Sequence, residues 1–141
     1  MPFARAANES IPVSGRYLLD TNIVIALFAG EPSVRRHLEQ ESILFLPSVV
    51  IGELYYGALA SGRKAANLQR IEELVRVSDV LVCDAQTARS YGDIKCLLRE
   101  KGRPIPENDV WIAATAARHG LILASRDTHF DDIPGLAREA W

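Results

Sequence analysis

Four acidic residues stand where a parallel α/β fold would gather its functional groups. Asp20 and Asp127 each follow a short apolar run of strand length. Asp109 begins a helical pattern directly after a proline-containing loop, and Glu53 lies inside an apolar helical pattern, where an unpaired charge is expensive to bury. Strand ends and the helix starts that follow them share one edge of a parallel sheet. The four carboxylates are therefore expected to converge there.

Carboxylates held close together repel one another, and without a cation some of them would be protonated. Mg²⁺ suits such a site because it prefers oxygen ligands, and Mn²⁺ accepts the same set. The chemistry that follows is phosphodiester hydrolysis, with Asp109 or Glu53 orienting or deprotonating the attacking water. Thr21, Asn22 and Ser125 adjoin the acids in sequence and would orient them.

Two of these acids also have a simpler interpretation. Asp20 is of the residue type that caps helix N-termini, and a helical pattern follows it at once. Glu53 has Gly52 and Gly57 beside it, so it could lie on an exposed stripe of its helix. Each position taken singly leaves both interpretations open. The functional interpretation is favoured only when the acids are considered together.

The elements that would position these residues follow from hydrophobic patterning. Amphipathic or apolar helical patterns alternate with apolar runs of strand length, and a last short strand is expected near the end of the chain; the strand positions are 18–19, 43–46, 80–83, 121–124 and about 137–140. This alternation predicts an α/β fold with a mostly parallel sheet and right-handed crossovers.

The length and charge of the chain restrict its domain organisation and the classes of function that are open to it. A chain of 141 residues is expected to form one domain, here 15–141, preceded by a flexible arm at 1–14. The formal net charge of −2 argues against a protein that holds nucleic acid by electrostatics alone. No run is apolar enough to span a bilayer or to serve as a signal peptide, so a cytoplasmic protein without a membrane role is expected.

Other classes of site lack their signatures. Cys83 and Cys96 match no metal or redox spacing and are expected to be buried thiols in a reducing compartment. The three histidines have no zinc spacing, although His129 lies near the proposed site and could touch a substrate. No phosphate-binding glycine motif is present, which argues against a nucleotide cofactor.

Several segments, in order along the chain, carry a family resemblance. They are 18–22 (LLDTN), 47–57 (PSVVIGELYYG), 105–116 (IPENDVWIAATA), 125–130 (SRDTHF) and 133–136 (IPGL). On these segments the chain resembles the PIN-domain ribonucleases, and most closely the VapC-type toxins of bacterial and archaeal toxin–antitoxin pairs. The resemblance extends over 16–141 and leaves out the N-terminal arm.

The resemblance implies a PIN-like three-layer α/β/α fold with a central, mostly parallel sheet of four to five strands. It implies a Mg²⁺-dependent endoribonuclease, with Mn²⁺ as a possible alternative ion, and a metal site formed by Asp20, Glu53, Asp109 and Asp127. It also implies a homodimer and a cognate VapB-type antitoxin that forms a higher assembly with it. RNA contacts are expected from basic residues near the site, with Arg103 and Arg126 as the candidates by position.

Two other functions remain open at this point. A metal-dependent phosphatase or phosphotransfer domain also places an aspartate after an apolar strand, but it usually needs a second aspartate two residues later, where this chain has Asn22. A catalytically inactive PIN-like binding module is the other alternative, and the presence of Asp20, Glu53 and Asp109 argues against it.

Overall fold

A sheet of five parallel strands forms the centre of the computed structural model, which describes residues 16–41 and 43–141. The strand order is β3-β2-β1-β4-β5, and every neighbouring pair is parallel. The strands are β1 (Tyr17–Leu19), β2 (Leu44–Pro47), β3 (Asp79–Leu81), β4 (Ile122–Ala124) and β5 (Arg138–Glu139). The predicted fold class is confirmed. The predicted flexible arm at 1–14 lies outside the described residues.

Six α-helices alternate with these strands among the described residues. They are α1 (Thr21–Phe28), α2 (Pro32–Glu39), α3 (Ser48–Leu59), α4 (Lys64–Val77), α5 (Ala85–Glu100) and α6 (Glu107–His119). A 3₁₀ helix follows at Thr128–Asp132, between the last two predicted strands. Helix α6 begins two residues before the predicted start at Asp109, which places Glu107 and Asp109 in its first turn.

The core lies on both faces of the sheet. All three residues of β1 are buried, although successive side chains of a strand point to opposite faces. This burial requires cover on each side, as in α/β folds with helices on both faces. Helix α6 contributes a run of buried alanines, and its Trp111 stacks on Tyr91 of α5 with ring centroids 4.0 Å apart.

One prediction about the core is wrong. Cys83 and Cys96 are both exposed, because Cys83 follows an edge strand and Cys96 lies on the outer face of α5. Within the described part of the chain, no helix combines the length and apolar character that a membrane crossing requires.

Candidate active site

Asp20 follows β1 directly and is the N-cap of α1. Its Oδ1 accepts a hydrogen bond from the Thr21 backbone N at 2.8 Å, and its Oδ2 accepts one from Ser125 Oγ at 2.7 Å. The residue is only 3% exposed. Burial raises the pKa of Asp20, the charges of Asp127 and Glu53 raise it further, and the two hydrogen bonds act against this rise. Asp20 is therefore both a helix cap and a buried acid held by a long-range contact.

Glu53 lies in the second turn of α3 and faces Asp20 across the start of α1. Thr21 Oγ1 donates a hydrogen bond of 2.6 Å to Glu53 Oε1. Glu53 is half-buried, between the buried Val50 and Leu54 on the same helix. The alternative of a fully exposed stripe does not describe this position, since one carboxylate oxygen is fixed by a residue that adjoins Asp20.

Asp109 occupies the first turn of α6, and its side chain is 15% exposed. Burial raises its pKa from 3.8 to about 6, the charges of Asp20 and Glu53 add to the rise, and His129 opposes it. His129 Nε2 lies 3.0 Å from Asp109 Oδ2. This buried nitrogen forms no hydrogen bond of acceptable geometry among the described residues. The contact becomes an ion pair when the imidazole is protonated.

Asn22 connects the two strand-end acids. Its Nδ2 lies 3.3 Å from Asp20 Oδ2, 3.3 Å from Ser125 Oγ and 3.4 Å from Asp127 Oδ2, and its Oδ1 accepts from the Arg126 backbone N at 3.2 Å. The fully buried Ser125 also accepts a hydrogen bond of 3.1 Å from the Asp127 backbone N. These contacts hold the loop after β4 against the start of α1.

A cavity of about 580 Å³ brings these side chains together, and all four predicted acids line it. Its lining residues are Asp20, Thr21, Asn22, Ile25, Glu53, Pro106, Glu107, Asn108, Asp109 and Asp127. One ligand atom from each of Asp109, Asp127 and His129 lies within 4.8 Å of the others. Asp20 and Glu53 stand beside this group in the same cavity.

The donor set fits a hard divalent cation. Among the described residues, the hydrogen-bond donors to Asp20 are all neutral, so its charge receives no direct compensation from a basic side chain. Burial and the neighbouring carboxylates raise the pKa values of Asp20 and Asp109, and a bound cation would counteract both effects. Carboxylate oxygens are the ligands that Mg²⁺ and Mn²⁺ prefer. The acids of the cavity could hold such an ion.

His129 is the residue that sequence reasoning undervalued. The sequence predicts for it only a contact with a substrate, yet its imidazole lies against Asp109. The available signal was its position two residues after Asp127, inside a segment that carries the family resemblance.

The two arginines predicted to contact RNA do not line the cavity. Arg126 forms an ion pair with Glu31 at 2.8 Å and donates from Nε to the Trp141 carbonyl at 2.9 Å. Arg103 is 67% exposed, and its Nη1 lies 3.9 Å from Asp132 Oδ1. Their role as RNA contacts stays a prediction.

Comparison with known proteins gives the site a family context. The model of the PIN domain matches residues 17–136 of the chain. The tRNA(fMet)-specific endonuclease VapC of Shigella flexneri is 37% identical, in an alignment covering 89% of this chain and 98% of that protein. Ribonuclease VapC2 of Haemophilus influenzae is 35% identical over the same shares.

A solved structure has the same architecture. The crystal structure of DNA-bound VapBC from Salmonella typhimurium superposes with a TM-score of 0.84 at 29% identity, covering 89% of this chain and 98% of that one. The sequence comparison and the fold comparison therefore point to the same family. The chain belongs to the PIN-domain family and, within it, to the VapC ribonucleases.

Proposed function

We propose that this protein is a metal-dependent endoribonuclease that acts as the toxin of a VapBC-type toxin–antitoxin pair. The observation that carries the proposal is the meeting of four acids, delivered by β1, α3, α6 and the loop after β4, in one cavity. One relative named as a ribonuclease, at 35% identity, and one named as a tRNA(fMet)-specific endonuclease, at 37%, support RNA as the substrate class.

Asp20, Glu53, Asp109 and Asp127 are the proposed ligands of the ion, which we take to be Mg²⁺ with Mn²⁺ as the alternative. When bound, the ion would polarise the phosphoryl oxygen and favour attack by water. The residues around the acids hold them in place. Thr21 orients Glu53, and Ser125 and Asn22 orient Asp20.

Two residues are suited to accept a proton from the attacking water. Glu53 Oε2 accepts no hydrogen bond among the described residues, so this oxygen is available to a water in the cavity. Asp109 lines the same cavity with a side chain that is only 15% exposed, so its carboxylate is the second candidate. Either assignment leaves Asp20 as a buried acid that must stay ionised.

A second cavity beside the acids is the proposed binding surface for RNA. Its volume is about 660 Å³, and Glu53 and Tyr56 are among its lining residues. Tyr56 is 77% exposed, so its ring is available for stacking with a base. Stacking suits a protein whose net charge of −2 gives little general attraction to a phosphate backbone.

A VapB-type antitoxin, a homodimer and a higher assembly with the antitoxin belong to the same proposal, as does a cytoplasmic location. The Salmonella typhimurium neighbour is a VapBC, which supports the antitoxin. An apolar groove of about 290 Å³ between α1, α3 and α4 adjoins Glu53, and Ile25 at its side is 57% exposed. Such a groove suits an apolar segment of a partner.

The test is cleavage of a panel of structured RNAs, including the tRNA(fMet) named for the Shigella flexneri relative, with Mg²⁺, Mn²⁺ or chelator. Asp20→Asn should lower cleavage by about 100-fold or more, because a lost ligand costs more than the 10- to 100-fold typical of a supporting residue. Asn still caps a helix, so the fold should be kept.

Asp84→Asn is the matched control. Asp84 is likewise an N-cap, accepting from the Thr87 backbone N at 2.9 Å, and it does not line the cavity. Its variant should cleave RNA like the parent. Full activity of Asp20→Asn, or cleavage that survives the chelator, would contradict the proposal. Hydrolysis of phosphate monoesters without cleavage of any RNA would favour a phosphatase instead.

A further inference from the structure

Arg138 lies on the edge strand β5, yet its side chain is only 15% exposed. Its Nη1 donates to the Ser125 carbonyl at 3.0 Å. Its Nε and Nη2 donate to the two carboxylate oxygens of Asp131, each at 2.9 Å. One guanidinium therefore joins two points that are six residues apart in the chain.

The segment between those two points carries part of the acid site. Ser125 is the residue whose hydroxyl donates to Asp20, and Asp127 and His129 supply two of the three clustered ligand atoms. Asp131 lies in the 3₁₀ helix that also holds His129. A change in the position of either end would move the ligand atoms of Asp127 and His129 relative to Asp109.

The geometry argues against a contact between Arg138 and RNA. Both sides of the Arg138 fork are already engaged, and the residue is absent from the lining of the acid cavity. A bidentate pair with a carboxylate fixes a guanidinium in orientation as well as in place. The Nη1 group of the same guanidinium then holds the backbone carbonyl of Ser125.

We propose that Arg138 is a positioning residue for the acid site, holding Ser125 and the 3₁₀ helix in register so that Asp127 and His129 face Asp109. The inference rests on the proposed function for its effect on RNA cleavage, but not for its effect on metal binding. Residues that support metal ligands typically contribute about 10- to 100-fold to metal affinity or activity.

The experiment compares Arg138→Met, Arg138→Lys and Asp131→Asn with the parent in three measurements. These are Mn²⁺ affinity by calorimetry, kcat and KM for RNA cleavage, and the thermal midpoint. Arg138→Met should weaken Mn²⁺ binding and lower kcat, each by about 10- to 100-fold, with KM unchanged. Arg138→Lys and Asp131→Asn should lie between, since an ammonium does not reproduce the fork and an amide offers one acceptor fewer.

Arg70→Lys is the matched control. Arg70 Nη2 also donates to a backbone carbonyl, that of Phe28, at 2.5 Å, but it does not touch the segment 125–131. Its variant should bind Mn²⁺ and cleave RNA like the parent. A double variant, Arg138→Met with Ser125→Ala, should lose less than the sum of the single losses, because both changes act on the same segment.

The outcomes separate the possibilities. Parent-like Mn²⁺ affinity and kcat in a folded Arg138→Met or Arg138→Lys protein would overturn the inference, as would a lower thermal midpoint alone. A raised KM with unchanged kcat would make Arg138 an RNA contact and would overturn it too. If the parent cleaves no RNA while the Arg138 variants lose Mn²⁺ affinity, the proposed function fails and the positioning role stands.

Discussion

At the residue scale, two aspartates with the same local role have different electrostatic environments. Asp20 and Asp84 both cap helices. Burial raises the pKa of Asp20, whereas the backbone hydrogen bond from Thr87 lowers the pKa of Asp84. The local pattern alone could not distinguish them, because Ser125 and Asp127, which both influence the pKa of Asp20, are more than a hundred residues away in sequence.

Ser125→Ala tests how Asp20 is kept ionised. The change removes the 2.7 Å hydrogen bond to Asp20 Oδ2 while the carboxylate stays buried. We expect the free energy of unfolding at pH 7 to fall by about 1–3 kcal/mol, as for other buried groups that lose a partner. We also expect Mn²⁺ affinity to fall by about 10- to 100-fold. Urea denaturation and calorimetry measure the two effects.

Ser78→Ala is the control for Ser125→Ala. Ser78 Oγ donates to the Leu74 carbonyl at 2.7 Å at the end of α4, and it does not line the acid cavity. Its variant should leave Mn²⁺ affinity unchanged. If Ser125→Ala binds Mn²⁺ as tightly as the parent, the hydroxyl does not orient Asp20 for a cation.

At the element scale, most of the site follows from patterning. The apolar runs of β1 and β4 are bounded clearly enough to place Asp20 and Asp127 at one sheet edge, and the helical patterns place Glu53 and Asp109 nearby. The 3₁₀ helix at Thr128–Asp132 could not be predicted in this way, because its polar sequence has no apolar periodicity.

The parts that sequence reasoning missed depend on that short helix. It brings the His129 imidazole to Asp109 and presents Asp131 to an arginine of β5. Both contacts join residues with no regular spacing. The exposed cysteines were missed for a related reason, since composition gives the average burial of a residue type and not the face on which one copy falls.

Two glycine substitutions test the helix assignments, and we expect them to change the free energy of unfolding in opposite directions. Gly92 lies inside α5 and Gly120 is the left-handed C-cap of α6 at φ 63°, and a methyl group added at either would meet no atom within 4 Å. Gly92→Ala should raise the free energy of unfolding by about 0.5–1 kcal/mol, because alanine restricts the unfolded chain and favours helix. Gly120→Ala should lower it by about 1–2 kcal/mol, because of the left-handed backbone.

Urea denaturation of the two glycine variants supplies the measurement, with RNA cleavage as the control. Neither residue lines the acid cavity, so both variants should cleave RNA like the parent. A stabilising effect of Gly120→Ala would mean that α6 does not end there in a left-handed residue. A destabilising effect of Gly92→Ala would argue against a continuous α5.

At the scale of the whole molecule, negative charge is concentrated where the sheet edge, α3 and α6 meet. The net charge is only −2, yet five acids line one cavity. A fold that gathers like charges is destabilised by their repulsion unless a cation or a proton compensates. The stability of the metal-free protein should therefore depend on pH in a way that the stability of the metal-bound protein does not.

The direction in which stability changes with pH follows from Asp109. Its pKa in the folded protein is about 6, above the ordinary value of 3.8, so folding favours its protonated form. The resulting stability is complete below about pH 4 and is lost as the pH rises through about 6. Asp20 acts in the same direction because burial raises its pKa too. Two groups act in the opposite direction. Asp131, with a pKa lowered by its hydrogen bond from Arg138, does so at lower pH, and His119, with a pKa lowered by burial, does so below about pH 6.5.

Thermal midpoints measured from pH 4 to pH 8 in the presence of chelator should therefore fall as the pH rises, and Asp109→Asn should flatten the upper part of that fall. Added Mn²⁺ should raise the midpoint most at high pH, because the ion binds the ionised carboxylates and stabilises only the folded protein. A chelated Asp109→Asn protein whose thermal midpoint falls with pH as steeply as that of the parent would contradict this account, since the carboxylate of Asp109 would then not be crowded in the folded state.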